Sequence, residues 1–372
     1  MSLHLAEVIS QKELKQFIKF PFRLYKDNPY YVPPLISFEL GSLDPRKNPS
    51  FEHAKARYWV VKKEDEIVGR IACIIVDPEL KEEKLARFGW MDFIDDLEVS
   101  KLLFETAVSW AKSEGATAIH GPLGFSDMDF EGALTEGFEI LATQVALYNY
   151  AYYIDHFEAL GLSKTATWVE IRSKVPEKTP DRIKRAIPLI KEKYNVQVKK
   201  FKSTKELKKY VPEVFNVINE SYSHLYGYHA LTQKQIDYYI ELYFGFVKKE
   251  YFTIVVNQKD EVVGFAVTLP SLSTALQKAK GYLYPFGFIH ILKSFFFSDT
   301  VDMLLIGVRP DYQKSGINTF LVDELTTIYN KNGIKHLASG PMLENNNNVL
   351  QFFKGSIEDI GTVKRSCFRK AI

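Results

Sequence analysis

The chain has 372 residues, 46% hydrophobic and 25% charged, enough apolar material for two cores and more than one core usually holds. Lys and Arg total 48 against 46 Asp and Glu, so no strong field for a polyanion is expected, and no nucleic-acid partner. The two cysteines, Cys73 and Cys367, lie far apart, which argues against a disulfide framework or a cysteine-ligated metal and agrees with a reducing cytoplasm.

No basic segment followed by an apolar one opens the chain, so no signal peptide is read and a cytoplasmic location is expected. Asn28-Pro29-Tyr30-Tyr31-Val32-Pro33-Pro34 cannot be helical, because each proline fixes its own φ and restricts the residue before it. It reads either as a strap packed across the surface or as a tyrosine-lined substrate wall. Strands follow at Arg57–Val61 and Ile67–Val76, joined by the polar turn Lys62–Glu66 as a hairpin. Next come Trp90–Ile94, a helical pattern from Val99 to Ser113 closed by Gly115, and the strand Ala118–His120 before Gly121-Pro122.

That order recurs. A second hairpin, Tyr251–Val256 with Val262–Leu269, precedes the strand Met303–Val308. A helical pattern from Asn318 to Asn332, closed by Gly333, leads to His336–Ser339 and Gly340-Pro341. Each helix stops at a glycine suited to a left-handed C-cap. Units of this length, occurring twice, indicate a duplicated domain. The turn-rich Pro176–Asp181, followed by a helical pattern from Arg182 to Lys193, sets the junction, giving domains 1–176 and 177–372. The aromatic stretch Tyr282–Phe297 is broken by Pro285, Gly287, His290 and Lys293. It is too short to span a bilayer, so no membrane partner is expected.

The run most informative for chemistry is Val308-Arg309-Pro310-Asp311-Tyr312-Gln313-Lys314-Ser315-Gly316-Ile317-Asn318. A strand, a proline turn, small residues and a helix N-terminus in succession converge backbone N–H groups on one concavity, where the helix dipole favours an anion. Gly316 lets a phosphate approach the backbone, and Lys314 adds charge. The bland alternative is an ordinary βα loop. The run resembles motif A of the GNAT acyltransferase superfamily, in which Gln or Arg, two residues, Gly, one residue, and Gly or Ala follow a Val-x-Pro-x-Tyr opening. Asn318 replaces the last small residue.

The resemblance covers the second hairpin through residue 353. It implies an α/β fold of two GNAT-like domains, each a twisted, mostly antiparallel sheet flanked by helices. It also implies acetyl-CoA or another acyl-CoA as cosubstrate, with its pyrophosphate on Gln313, Lys314, Ser315, Gly316, Ile317 and Asn318. The family splays two strands apart, so its pantetheine is expected on the open backbone edge of Ile306, Gly307 and Val308. Glu344–Lys354 is similar to the family's Asn-x-x-Ala-x-x-x-Tyr helix, with Asn346 a cofactor contact. Phe353 stands where many relatives carry a tyrosine acid, and a Phe has no proton to give. Four consecutive asparagines are equally a helix N-cap and turn sequence.

Transfer to an amine needs a proton acceptor. The candidates are Glu344, His224 with Tyr228 and His229, and Tyr284, with Tyr282 and Tyr312 as further polar groups of the cleft. The first copy differs: Asp95, Asp96 and Glu98 stand where the second has its glycine loop, and they would repel a pyrophosphate. Its acidic segment Gly124–Gly132 reads as part of an acceptor pocket or as a surface loop. The expected function is acyl-CoA-dependent N-acyl transfer, most simply acetyl transfer, to a small-molecule or peptide amine. The alternatives are a non-catalytic acyl-CoA-binding or partner-binding module, and aminoacyl transfer from a charged tRNA, which the near-neutral charge disfavours. Whether copies of the chain associate is left open.

Overall fold

The computed structural model describes residues 2–346 and 358–372. The chain divides into two compact units, each assembled from separate segments. The first holds Met1–Val169, Leu272–Leu292 and Val363–Ile372; the second holds Glu170–Ser271 and Lys293–Thr362. The chain thus returns twice to the first unit after the junction read near residue 176.

In chain order the first unit contains β1 (Leu3–Glu7), α1 (Gln11–Leu24), α2 (Ile36–Ser42), β2 (Ala54–Lys63), β3 (Glu66–Val76), α3 (Asp77–Glu83), β4 (Leu85–Phe93), α4 (Leu97–Ser113), β5 (Ala118–Gly121), β6 (Ala133–Glu136) and α5 (Tyr152–Ala159). The strand β7 (Ser163–Lys174) then leads into the second unit. Strands β1 to β4 pair antiparallel in sequence order, and β4 pairs β5 in parallel. β3 is buried along nearly its whole length because both faces are covered: Ile71, Cys73 and Ile75 join α4 residues Val99, Leu103 and Ala107. Ala72, Ile74 and Val76 join α1 residues Leu14, Phe17 and Ile18. A strand covered on both faces reads as a continuous apolar run, not an alternating one. Cys73 is a buried free thiol, with burial pushing its pKa up. The proline segment is a packed strap. Asn28 Oδ1 accepts the amides of Tyr30 and Tyr31 at 2.9 and 3.2 Å, and the Gln277 amide donates to the carbonyls of Pro29 and Tyr31.

The second unit continues with α6 (Asp181–Tyr194), β8 (Gln197–Lys199), α7 (Thr204–Lys208), α8 (Val211–Tyr222), α9 (Gln233–Tyr243), β9 (Phe252–Val256) and β10 (Val262–Pro270). After α10 (Ser273–Ala279) and α11 (Gly287–Phe297) come β11 (Thr300–Val308), α12 (Asn318–Lys331), β12 (His336–Ser339), β13 (Met342–Leu343) and β14 (Glu358–Ala371). Its sheet runs from the end of β7 through β12, β11, β10 and β9 to β8. The β11–β12 pair is parallel and the rest are antiparallel. Phe320, Leu321, Leu325 and Tyr329 of α12 pack on Val255, Val263, Ala266, Val301, Met303 and Leu337. Hairpin, strand, loop, helix and parallel strand therefore recur as the sequence repeat indicates. Gly115 and Gly333 follow α4 and α12 at φ of 94° and 71°, where a side chain would be strained. Among the described residues no helix is long and apolar enough to cross a membrane.

Candidate functional site

The ladder between β11 and β12 is short. It runs from Thr300 opposite His336 to Met303 opposite Ser339, and the amide of Gly340 closes it on the Met303 carbonyl at 2.7 Å. Beyond that point β11 continues along β10, past a bulge that skips Leu304. Among the described residues no strand pairs with its other edge from Leu304 to Val308. Arg309 donates its amide to Val263 at 2.9 Å. Backbone groups alternate sides along an antiparallel strand, so Leu305 and Gly307 turn to β10 while Ile306 and Val308 turn outward. Of the three residues expected on the open edge, Gly307 thus spends its amide and carbonyl on β10. The edge is partly dressed: the Tyr222 hydroxyl donates to the Ile306 carbonyl at 2.9 Å, and the Gln313 side-chain amide donates to the Val308 carbonyl at 3.4 Å.

The glycine loop follows at once. Pro310–Tyr312 form one tight turn, and Arg309 is held over the Tyr312 ring and by Asp311 at 2.8 and 3.0 Å. Lys314 and Gly316 have φ of 63° and 90°, and a Cβ on Gly316 would meet Ile190 Cδ1 at 2.6 Å. Ile317 is buried against Gly264 and anchors the start of α12, while Gln313 and Lys314 are exposed. The Ser315 amide bonds Tyr312, and the first helical bonds come from Thr319 and Phe320. No side chain caps α12. Among the described residues the amides of Gly316, Ile317 and Asn318 have no acceptor. Three free donors at the positive end of a helix, preceded by left-handed backbone, form a nest for an anion.

The expected proton acceptors are scattered. Glu344 is exposed after β13, and His224 is exposed on the turn after α8. Tyr228 is structural, donating to Asn219 Oδ1 at 2.6 Å, and His229 is half-buried beside it. Tyr284 lies in the first unit, 78% exposed, with its ring against Phe288. Tyr282 is also in that unit, beneath the ammonium of Lys19. Asn346 is half-buried, its amide on the Leu343 carbonyl at 2.8 Å, and Phe353 lies outside the described residues.

Sequence reasoning passed over Asp302. It sits on β11 one residue before the ladder ends, 1% exposed. One carboxylate oxygen accepts from Ser271 Oγ at 3.1 Å, and the other has no partner among the described residues. Burial pushes its pKa up to about 7; Ser271 and Arg172 oppose that and Glu170 adds to it. The available signal was an acid inside an otherwise apolar strand, since a carboxylate is rarely buried without a partner or a purpose.

Residues 211–355 match the Acetyltransferase (GNAT) family. The chain carries a GNAT domain. The match covers the splayed strand and the loop just described. The chain is 29% identical over 359 residues to Protein YghO of Escherichia coli (strain K12), covering 92% of this chain and 90% of that protein. It is 26% identical over 301 residues to a bacterial ceramide synthase of Caulobacter vibrioides (strain NA1000 / CB15N), covering 78% and 76%. A tandem GNAT protein from the clavulanic acid biosynthesis pathway superposes on 100% of this chain and 98% of its own, with a TM-score of 0.59 at 12% identity. A GCN5-related N-acetyltransferase from Sphaerobacter thermophilus does so over 99% and 95%, with a TM-score of 0.51. At such identities the likeness concerns the fold alone.

Proposed function

We propose that this protein is an acyl-CoA-dependent N-acyltransferase whose cosubstrate binds the second GNAT repeat. The observation that carries the reading is the adjacency of three acceptor-free amides, Gly316 to Asn318, to the open edge at Ile306 and Val308. The amides take the pyrophosphate, with Lys314 adding charge. The edge pairs with the pantetheine amides, as an added strand would. An acceptor amine attacks the thioester carbonyl, whose developing negative charge an open-edge N–H of β11 stabilises. Asp302 takes the proton from the amine, directly or through a water, and the CoA thiolate leaves to be protonated by solvent. A carboxyl with a pKa near 7 is matched to that task at neutral pH.

The acceptor is an amine. Likeness to a protein called a bacterial ceramide synthase favours a long-chain amino alcohol over a small-molecule or peptide amine, and a long-chain acyl-CoA over acetyl-CoA as donor. Calorimetry with acetyl-, octanoyl- and palmitoyl-CoA tests the binding, and thiol release with sphinganine or a peptide amine tests the transfer. Saturable binding that Gly316→Glu abolishes, with amine-dependent thiol release, is expected. No binding of any acyl-CoA sinks the proposal; binding without thiol release leaves a sensor rather than an enzyme.

A further inference from the structure

The outward face of α11 has the wrong polarity for water. Gly287 and Ile291 are buried and Ser294 and Phe295 half-buried, which defines the inward line. The outward line carries Phe288, Ile289, Leu292, Phe296 and Phe297, the last 81% exposed, with Lys293 among them. A surface helix ordinarily turns its polar residues outward. The preceding turn adds Tyr284 and Phe286, the latter 69% exposed. Among the described residues, eight of the thirteen exposed large hydrophobic side chains fall within 282–297, a concentration that marks an interaction surface.

Charge narrows the occupant. No acidic residue occurs between Glu261 and Asp299, whereas Lys278, Lys280 and Lys293 do, and all three are exposed. Lys19 lies over the Tyr282 ring, and Lys248 lies over the Phe296 ring at 4.4 Å and donates to the Phe295 carbonyl. Apolar and aromatic side chains framed by cations, on a stretch of chain that carries no acid, complement a boundary of acyl chains and anionic headgroups. At 11 residues the helix is about 16 Å long, too short to cross a bilayer and suited to lying in its plane.

We infer that Tyr282–Phe297 docks this protein on an anionic phospholipid surface, with Phe286, Leu292, Phe296 and Phe297 in the headgroup–acyl boundary and the lysines at phosphate level. The sequence expectation of no membrane partner rested on the inability to span, which is a different property. The inference stands independently of acyl transfer.

The test is co-sedimentation of the full chain with vesicles of phosphatidylcholine alone or mixed with phosphatidylglycerol. Binding to the mixed vesicles is expected to exceed binding to phosphatidylcholine by about tenfold. Phe286→Ser with Phe297→Ser should lower it at least about tenfold while the circular dichroism spectrum stays unchanged, and Lys278→Glu with Lys293→Glu should lower it about fivefold per lysine. Wild-type protein left in the supernatant with both vesicles overturns the inference, as does vesicle binding indifferent to the paired Phe substitutions. A dimer in light scattering that those substitutions dissolve, without vesicle binding, reassigns the face to a contact between copies.

Discussion

The two repeats place the same helix end after the same kind of strand and then use it in opposite ways. In each, a parallel ladder ends after a few residues: β4 parts from β5 beyond Arg87 opposite His120, and β11 parts from β12 beyond Met303 opposite Ser339. At α4 the Asp96 carboxylate accepts the amide of Glu98 at 3.1 Å, and Asp95 lies 3.0 Å from His156. That helix end has supplied its own anion. At α12 no side chain caps the end, and three amides stay open. A shared fold therefore says little about function here; the choice lies in a few loop residues.

Buried charge repeats the contrast. Arg87 and Asp302 occupy the third pair of their parallel ladders. Arg87 engages all three guanidinium nitrogens, bonded twice to Glu79 at 2.8 and 2.6 Å and once to the Gly124 carbonyl. Nearby His120 has its pKa lowered by burial despite the opposing pull of Glu79. Asp302 keeps one oxygen unpartnered among the described residues. At matching ladder positions, then, Arg87 is spent on structure and Asp302 keeps an acceptor open.

The largest effect is expected where saturation is undone. Glu79→Gln strands the Arg87 guanidinium in the core and should lower the unfolding free energy by about 3–5 kcal/mol. A shift of the urea midpoint equivalent to less than about 1 kcal/mol would break the contrast between satisfied and available charge. Gly316→Glu fills the nest with a side chain and a like charge, and should weaken acyl-CoA binding roughly a hundredfold, read by calorimetry. Asp302→Asn should lower kcat/KM about a hundredfold. In the wild type the rate should rise as pH passes about 7, where the carboxyl loses its proton, and the variant should lose that limb.

Stability runs the other way. The folded pKa of Asp302, about 7, lies above the ordinary 3.8, so between those values the folded state holds a proton the unfolded state has released. Stability therefore falls as pH rises through that window. Asp302→Asn should be more stable than the wild type at pH 8, by an amount on the order of 1–4 kcal/mol, and not near pH 4. Thermal unfolding at the two pH values checks it; equal gains at both would contradict the assigned shift. The smallest effect is Asp96→Ala, which removes one cap for about 1 kcal/mol. It should leave acyl-CoA affinity unchanged, and a loss of affinity would tie the first repeat to cofactor binding.

Much of this was legible in the chain itself. Both hairpins, the two helices closed by Gly115 and Gly333, the repeat, and the acid-for-glycine exchange at the helix starts follow from local periodicity and capping chemistry, which act over a few residues. Other features depended on residues far apart in sequence. The strand expected at Trp90 begins at Leu85, with Trp90 itself at a φ of 44°. The bulge at Leu304 turned Gly307 toward β10, and the candidate bases His224, Glu344 and Tyr284 proved exposed while Asp302, which local pattern did not single out, proved buried.

The sequence by itself determined the order of the repeated elements and which of two similar helix ends supplies its own cap, because those outcomes rest on interactions within a turn or two. Only the tertiary structure decided which buried carboxyl stands without a full set of partners. It also decided that 363–372 completes the first unit and that the aromatic face of α11 points outward. Burial, strand phase and exposure are set by what packs on a residue, and that partner is distant along the chain.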